Sequence, residues 1–200
     1  RGQVRIADLG DLRIDFAGAP GPGEARFRRG DAVLAALPVD APAAGAWIGT
    51  GWFFAPRGYA LTNSHVVTGA GSLKVYLGGD QDESRNAQVV SASECYDLAV
   101  IKVDTGDETA PFLGWYGGEI TEGIEVYSAG YPGVLGAEYT LTKGIVSQAD
   151  TSDPSPWADV EHAIEHDARI RGGNSGGPLI NTDALVLGVN YAGSDESDSN

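Results

Sequence analysis

From Val33 to Tyr191 the chain consists of short apolar, β-branched runs, each cut off by glycine, proline or a polar cluster before it grows long. Strand-like segments fall at 33–39, 47–54, 59–63, 73–77, 87–93 and 98–103. Turn signals separate them at Pro56-Arg57-Gly58, Gly69-Ala70-Gly71 and Gly78-Gly79-Asp80. A second series falls at 124–129, 138–148, 161–170, 178–181 and 185–191. None of these reads as a long amphipathic helix. Six strands, a connector at 104–120 broken by Gly106, Pro111, Gly117 and Gly118, then five more strands predict an all-β chain. Two antiparallel barrels or sandwich halves fit that order.

The thirty residues before this series are irregular. Val4-Arg5-Ile6 and Leu12–Phe16 alternate like short strands, and Gly18–Gly23 reads as a loop or linker. The end of the chain, GSDESDSN from Gly193, is small and acidic and reads as disordered. Among 200 residues, 13 Lys and Arg stand against 28 Asp and Glu, a net charge of −15. Such a chain repels phosphate, which disfavours nucleic acid and anionic membrane surfaces as partners. No apolar run approaches the ~20 residues of a membrane span. A single cysteine, Cys95, excludes an internal disulfide and reads as a packed or idle thiol. The absence of methionine reads as a processed form or excised fragment, with any signal peptide or anchor removed.

The chemistry is concentrated in Arg171-Gly172-Gly173-Asn174-Ser175-Gly176-Gly177-Pro178. Glycines on both sides of Ser175 free the backbone for conformations a side chain forbids. They also let a substrate carbonyl approach the loop's N–H groups, and two such donors aimed at one point form an oxyanion hole. The bland reading of the same residues is a glycine turn. A serine hydroxyl needs a base, and the chain has three histidines: His65, His162 and His166. His65 stands where the strand Ala60-Leu61-Thr62 ends, in a place that would equally suit a packed core histidine. Asp97 opens the apolar strand Leu98–Val103, where burial suits an orienting carboxylate, although Glu94 and Asp104 are rival acids. The order His, Asp, Ser is one of several that build a triad.

With these residues assembled, the chain resembles a chymotrypsin-fold serine protease, most closely of the HtrA/Deg branch. Four blocks carry the likeness: GTGWFFAPRGYALTNSHVV at 49–67, YDLAVIKVD at 96–104, EVYSAGYPG with YTLTKGIVS at 125–147, and HDARIRGGNSGGPLIN at 166–181. The likeness covers about 33–193. It implies two six-stranded antiparallel β-barrels with the active site in the cleft between them. An extension at 1–30 would precede a first barrel at 31–110 carrying His65 and Asp97. A second barrel at 111–193 would carry Ser175, and an acidic tail at 194–200 would follow. The resemblance implies His65 as general base, Asp97 as its partner and Ser175 as nucleophile. The oxyanion hole falls to the Gly173–Ser175 stretch, Asn174 included. Asn190, Tyr191 and Ala192 would pair with substrate backbone as an added strand. It requires no metal or organic cofactor, and it implies a polypeptide substrate and an extracytoplasmic location. Relatives often form trimers, but nothing in this sequence carries an oligomer over.

Three questions stay open at this stage. The second barrel has five strand signals for six places, to be filled by 4–6 and 12–16, by a partner or by residues beyond the chain. Ahead of the nucleophile, Ile170 pointing inward implies a small or medium apolar side chain at the cleavage site. Arg169 pointing inward, with His166 helping, implies an acidic one. Finally, His162-Ala163-Ile164-Glu165-His166 spells H-x-x-E-H, a zinc motif on a helix. Pro154, Pro156 and Gly172-Gly173 leave little room for that helix, and no third ligand is evident. The rival functions are therefore an inactive or regulated protease fold that binds peptides, and a zinc hydrolase.

Overall fold

The computed structural model describes residues 48–79, 84–132, 138–154 and 159–193, together with short strands at 2–5, 12–15, 26–29 and 32–34. The loop expected at 18–23 and the tail at 194–200 lie outside the described residues.

The first unit is a sheet of five antiparallel strands. These are β5 (Trp52–Ala55), β6 (Tyr59–Thr62), β7 (Leu73–Tyr76), β8 (Ser84–Ser93) and β9 (Leu98–Val103). Their spatial order is β5-β6-β9-β8-β7, which puts β9 at the centre. Its sequence explains the place. Ala99, Ile101 and Val103 point to one side, where they join Ala60, Val67 and Ala92 in a buried cluster. Val100 points to the other and packs with Trp52, Leu61, Val186 and Val189. A strand buried on both faces has to be an apolar run, and each such Val or Ile contributes about 1.5–3 kcal/mol. Because Val186 and Val189 belong to the second unit, that second cluster is also the seam between the units. Between β5 and β6, Gly58 has φ +74°, and a Cβ there would lie 2.6 Å from the Val103 carbonyl oxygen. Glycine is what lets this hairpin sit under β9.

The second unit is a closed antiparallel barrel. It contains β10 (Glu125–Gly130), β11 (Thr140–Pro154), β12 (Asp159–His166), β13 (Pro178–Ile180) and β14 (Val186–Gly193). Val126, Val146, Ile164, Leu179 and Leu187 fill it. Its sixth strand is β1 (Gly2–Arg5), from the opposite end of the chain. β1 lies between β12 and β14, with Val4 opposite Ile164 on one side and Asn190 on the other. The gap left open by the sequence is thus filled by β1, which shares Val4 and Arg5 with the segment expected at 4–6.

The segment at 12–16 instead forms β2 (Leu12–Asp15), paired with β3 (Arg26–Arg29) and β4 (Ala32–Leu34) in a separate three-stranded sheet. Of the segment expected at 33–39, only Val33 and Leu34 are described, in β4; residues 35–39 lie outside the described residues. β4 pairs with β3, with Leu34 opposite Phe27 and Ala32 opposite Arg29. Among the described residues the first unit is a five-stranded antiparallel sheet. The connector at 104–120 has no strand of its own but ties both units together. Leu113 N–H donates to Phe53, and Gly114 and Tyr116 exchange backbone hydrogen bonds with Val186.

Candidate active site

His65 is the second residue of α1 (Ser64–Val67), a single helical turn that follows β6 directly. Asp97 lies on the turn before β9 and is 1% exposed. Asp97 Oδ1 accepts the His65 backbone N–H at 2.8 Å, and Oδ2 lies 2.6 Å from the ring Nδ1. One carboxylate therefore fixes both where the histidine starts and how its ring turns. A buried carboxylate without donors would be costly, and these two contacts make this one tenable. With Nδ1–H donating to Asp97, Nε2 is left as the proton acceptor.

The backbone of Asp97 is just as constrained. Its φ is +49°, a conformation that costs a non-glycine residue on the order of 1 kcal/mol. Its carbonyl accepts Ser64 N–H at 3.1 Å and Asn63 Nδ2 at 2.7 Å, and its N–H donates to Glu94 at 3.2 Å. The rival acids are elsewhere: Glu94 and Asp104 are exposed, and Asp104 Oδ1 caps the N–H of Gly106.

Ser175 sits in the loop between β12 and β13. Two consecutive turns shape it. In the first, Asn174 N–H donates to Arg171 O at 3.0 Å with Gly173 at φ +97°. In the second, Gly177 N–H donates to Asn174 O at 2.9 Å with Gly176 at φ +86°. A positive φ at the third position is what a type II turn demands, so the glycines follow from the geometry. A Cβ on Gly176 would come within 2.2 Å of Thr50 O and 2.3 Å of Thr62 Oγ1. Its absence lets the loop lie flush against Thr50, Thr62 and Asn63, two residues from His65. Thr50 N–H then donates to Ser175 O at 2.8 Å. His65 and Asp97 are joined through their side chains; Ser175 is held through its backbone to Thr50.

Within the expected oxyanion stretch the three N–H groups differ: that of Asn174 is part of the first turn. It donates to Arg171 O, while among the described residues the N–H groups of Gly173 and Ser175 have no acceptor.

The expected substrate strand is more internal than its sequence suggested. Asn190 is 0% exposed, accepts Gly176 N–H at 2.7 Å and donates its own N–H to Gly177 O at 2.8 Å. Its side chain repeats the grip, with Nδ2 2.9 Å from Gly177 O and Oδ1 3.3 Å from His166 Nε2. Tyr191 is a core residue, packed with Val160 and Ala163. Ala192 is paired with Gln3 of β1. Asn190 is therefore a clamp beneath the nucleophile loop, and Tyr191 is a packing residue.

Ile170 is half-buried beside the loop, whereas Arg169 is exposed and its carbonyl accepts Thr142 Oγ1 at 2.6 Å. His166 is fully buried, and burial pushes its pKa down to about 4, against support from Asn190 and Asp167. A neutral His166 gives no charge to attract an acidic side chain. The H-x-x-E-H motif lies on strand β12 rather than on a helix. Its histidines serve different neighbours, His162 bonding Asp150 at 2.9 Å and His166 bonding Asn190. Among the described residues no group of three or more His, Cys, Asp or Glu side chains is placed to hold a metal ion.

Sequence reasoning gave no role to Thr50 or to Asn190 as a clamp. The available signal for Thr50 was the Gly49-Thr50-Gly51 triplet ahead of a strand. A Cβ on Gly49 would meet Val66 at 2.6 Å and Ser175 O at 3.0 Å.

A family model described as the trypsin-like peptidase domain matches residues 49–189. A probable periplasmic serine endoprotease, DegP-like, of Chlamydia pneumoniae is 38% identical over 145 residues, covering 72% of this chain and 28% of its own length. The chloroplastic protease Do-like 1 of Arabidopsis thaliana is 32% identical over 147 residues, covering 72% of this chain and 33% of its own. Among solved structures, the HtrA-type protease AlgW with a decapeptide is similar at TM-score 0.63 and 28% identity, over 80% of this chain and 54% of that one. An inactive form of Rv3671c from M. tuberculosis is similar at TM-score 0.61 and 32% identity, over 74% of this chain and 70% of that one. The chain spans a third or less of the length of these curated relatives.

Proposed function

Because the chain belongs to the trypsin-like peptidase family, in its HtrA/DegP branch, we propose that it is a serine endopeptidase working through an acyl-enzyme. The observation that carries this is the two-point grip of Asp97 on His65, at 2.8 and 2.6 Å, beside a loop shaped to present Ser175. Ser175 Oγ attacks the scissile carbonyl carbon while His65 Nε2 takes its proton. The oxygen gains negative charge and is met by the N–H groups of Gly173 and Ser175. His65 then returns the proton to the leaving amine as the C–N bond breaks. Water repeats the sequence to release the acid and regenerate Ser175. Asp97 holds the imidazole and stabilises its charged form without taking the proton.

Substrate backbone enters along β14 past Asn190, where β13 has given way to the nucleophile loop. Ala192 is the residue of the expected strand that lies there. A half-buried Ile170 supports a small or medium apolar side chain at the cleavage site. The relatives' names support an extracytoplasmic location and polypeptide substrates. The test is labelling with a fluorophosphonate probe, together with turnover of a denatured protein. Labelling of the parent and none of Ser175→Ala supports the proposal. Peptide binding that persists in Ser175→Ala, with no labelling or turnover in the parent, replaces it with the peptide-holding reading.

A further inference from the structure

Thr50 bonds the nucleophile loop, β6 and the residue after β10 while standing outside the triad. It is buried, and its N–H donates to Ser175 O at 2.8 Å. Its hydroxyl donates to Gly173 O at 2.8 Å and accepts the Tyr131 N–H at 3.0 Å. Its carbonyl accepts Thr62 Oγ1 at 2.8 Å, three residues before His65. One residue thus joins both ends of the Gly173–Ser175 stretch to the strand that delivers the histidine and to the end of β10.

The bond to Gly173 matters most. The peptide between Gly173 and Asn174 is held at two points, its N–H by Arg171 O and its carbonyl by Thr50 Oγ1. Glycine at φ +97° has a wide range of neighbouring conformations open to it. Rotation about Gly173 would swing its own N–H away from the point where it converges with the N–H of Ser175. Tyr131 N–H fixes the direction of the hydroxyl, because a threonine oxygen that accepts there must donate elsewhere.

We propose that Thr50 is a positioning residue for the oxyanion hole: its hydroxyl locks the Gly173 carbonyl so that the Gly173 and Ser175 N–H groups stay aimed at one point. This rests on the serine endopeptidase reading. It predicts a defect confined to the transition state, since the locked donors act when the oxygen gains charge and not when peptide first binds.

The test compares Thr50→Val, which keeps the shape and removes the hydroxyl, with Thr50→Ser, which keeps the hydroxyl. For Thr50→Val, kcat on a peptide substrate should fall about 10- to 100-fold with KM within about twofold. That is less than the ~10²–10³ for removing a donor outright, because the donor stays and only its aim loosens. Affinity for a peptide boronic acid, a mimic of the tetrahedral state, should fall by the same factor as kcat. Peptide binding measured in the Ser175→Ala background should not change, and Thr50→Ser should recover most of the rate. Unchanged kcat in Thr50→Val overturns the inference, as does a loss shared equally by KM or peptide binding. If Thr50→Val does not fold, Thr50→Ala is measured in its place, and failure of both makes Thr50 a structural residue and overturns it. A parent enzyme that neither labels nor turns over peptide fails the protease reading itself, a result distinct from an active parent with an indifferent Thr50.

Discussion

Asp97 spends both carboxylate oxygens on His65, one on the backbone N–H at 2.8 Å and one on the ring Nδ1 at 2.6 Å. In Asp97→Asn, the amide offers one acceptor and one donor where two acceptors are needed. Either the backbone bond is lost or the ring is driven into the wrong tautomer. We expect kcat to fall by about three to four orders of magnitude. Steady-state kinetics checks this, with Glu94→Gln and Asp104→Asn as controls that stay within about twofold of the parent.

Gly176 and Gly172 should respond very differently to alanine. At Gly176, φ is +86° and a Cβ would meet Thr50 O at 2.2 Å; at Gly172 a Cβ meets nothing within 4 Å. Backbone atoms cannot swing aside as a side chain can, so Gly176→Ala should destabilise by about 3 kcal/mol or more, or fail to fold. Gly172→Ala should stay within about 0.5–1 kcal/mol. Urea denaturation of both variants measures the difference.

His166 makes stability depend on pH. Its pKa is lowered from 6.5 to about 4 in the folded protein, chiefly by burial. Above about pH 6.5 both folded and unfolded forms hold the neutral ring, and the group contributes nothing to the pH dependence. As pH falls from there towards 4, the unfolded chain takes up a proton that the folded protein refuses. Stability should drop by up to about 1.4 kcal/mol per pH unit over that window, levelling below pH 4. His166→Gln removes the titrating group. The difference between the parent and variant denaturation midpoints, followed from pH 7 to 4, should carry this slope; a flat difference would count against it.

What could be read in the sequence was what chemistry or backbone geometry forces into a local pattern. Ser175 stood out because two turns need glycines around it. The run at Leu98–Val103 stood out because a central strand must be apolar on both faces, and Asp97 because a carboxylate at its lip is unusual. The connector was legible from its glycines and proline. For Asn190 and Tyr191 the neighbours were not legible, because a strand's sequence does not say which parts of its edges are already taken. At Asn190, Gly176 and Gly177 occupy one edge and β1 the other. Thr50 was silent because its hydroxyl's partner, Gly173, lies 123 residues away. His166 read as a ligand or a pocket cation; only its burial shows it to be neutral.

The closing strand of the second barrel has a consequence for how the protein is made. Gly2 pairs with both His166 and Gly193, so this strand finds its place only against strands made much later. Until then it must wait unpaired, and the edges of β12 and β14 stand open to any other extended segment that arrives first. Such long-range closure is slow in its nature. A chaperone that shields this nascent strand, or a fused partner that delays it, should therefore alter the yield of native protein without altering the behaviour of the molecules that succeed.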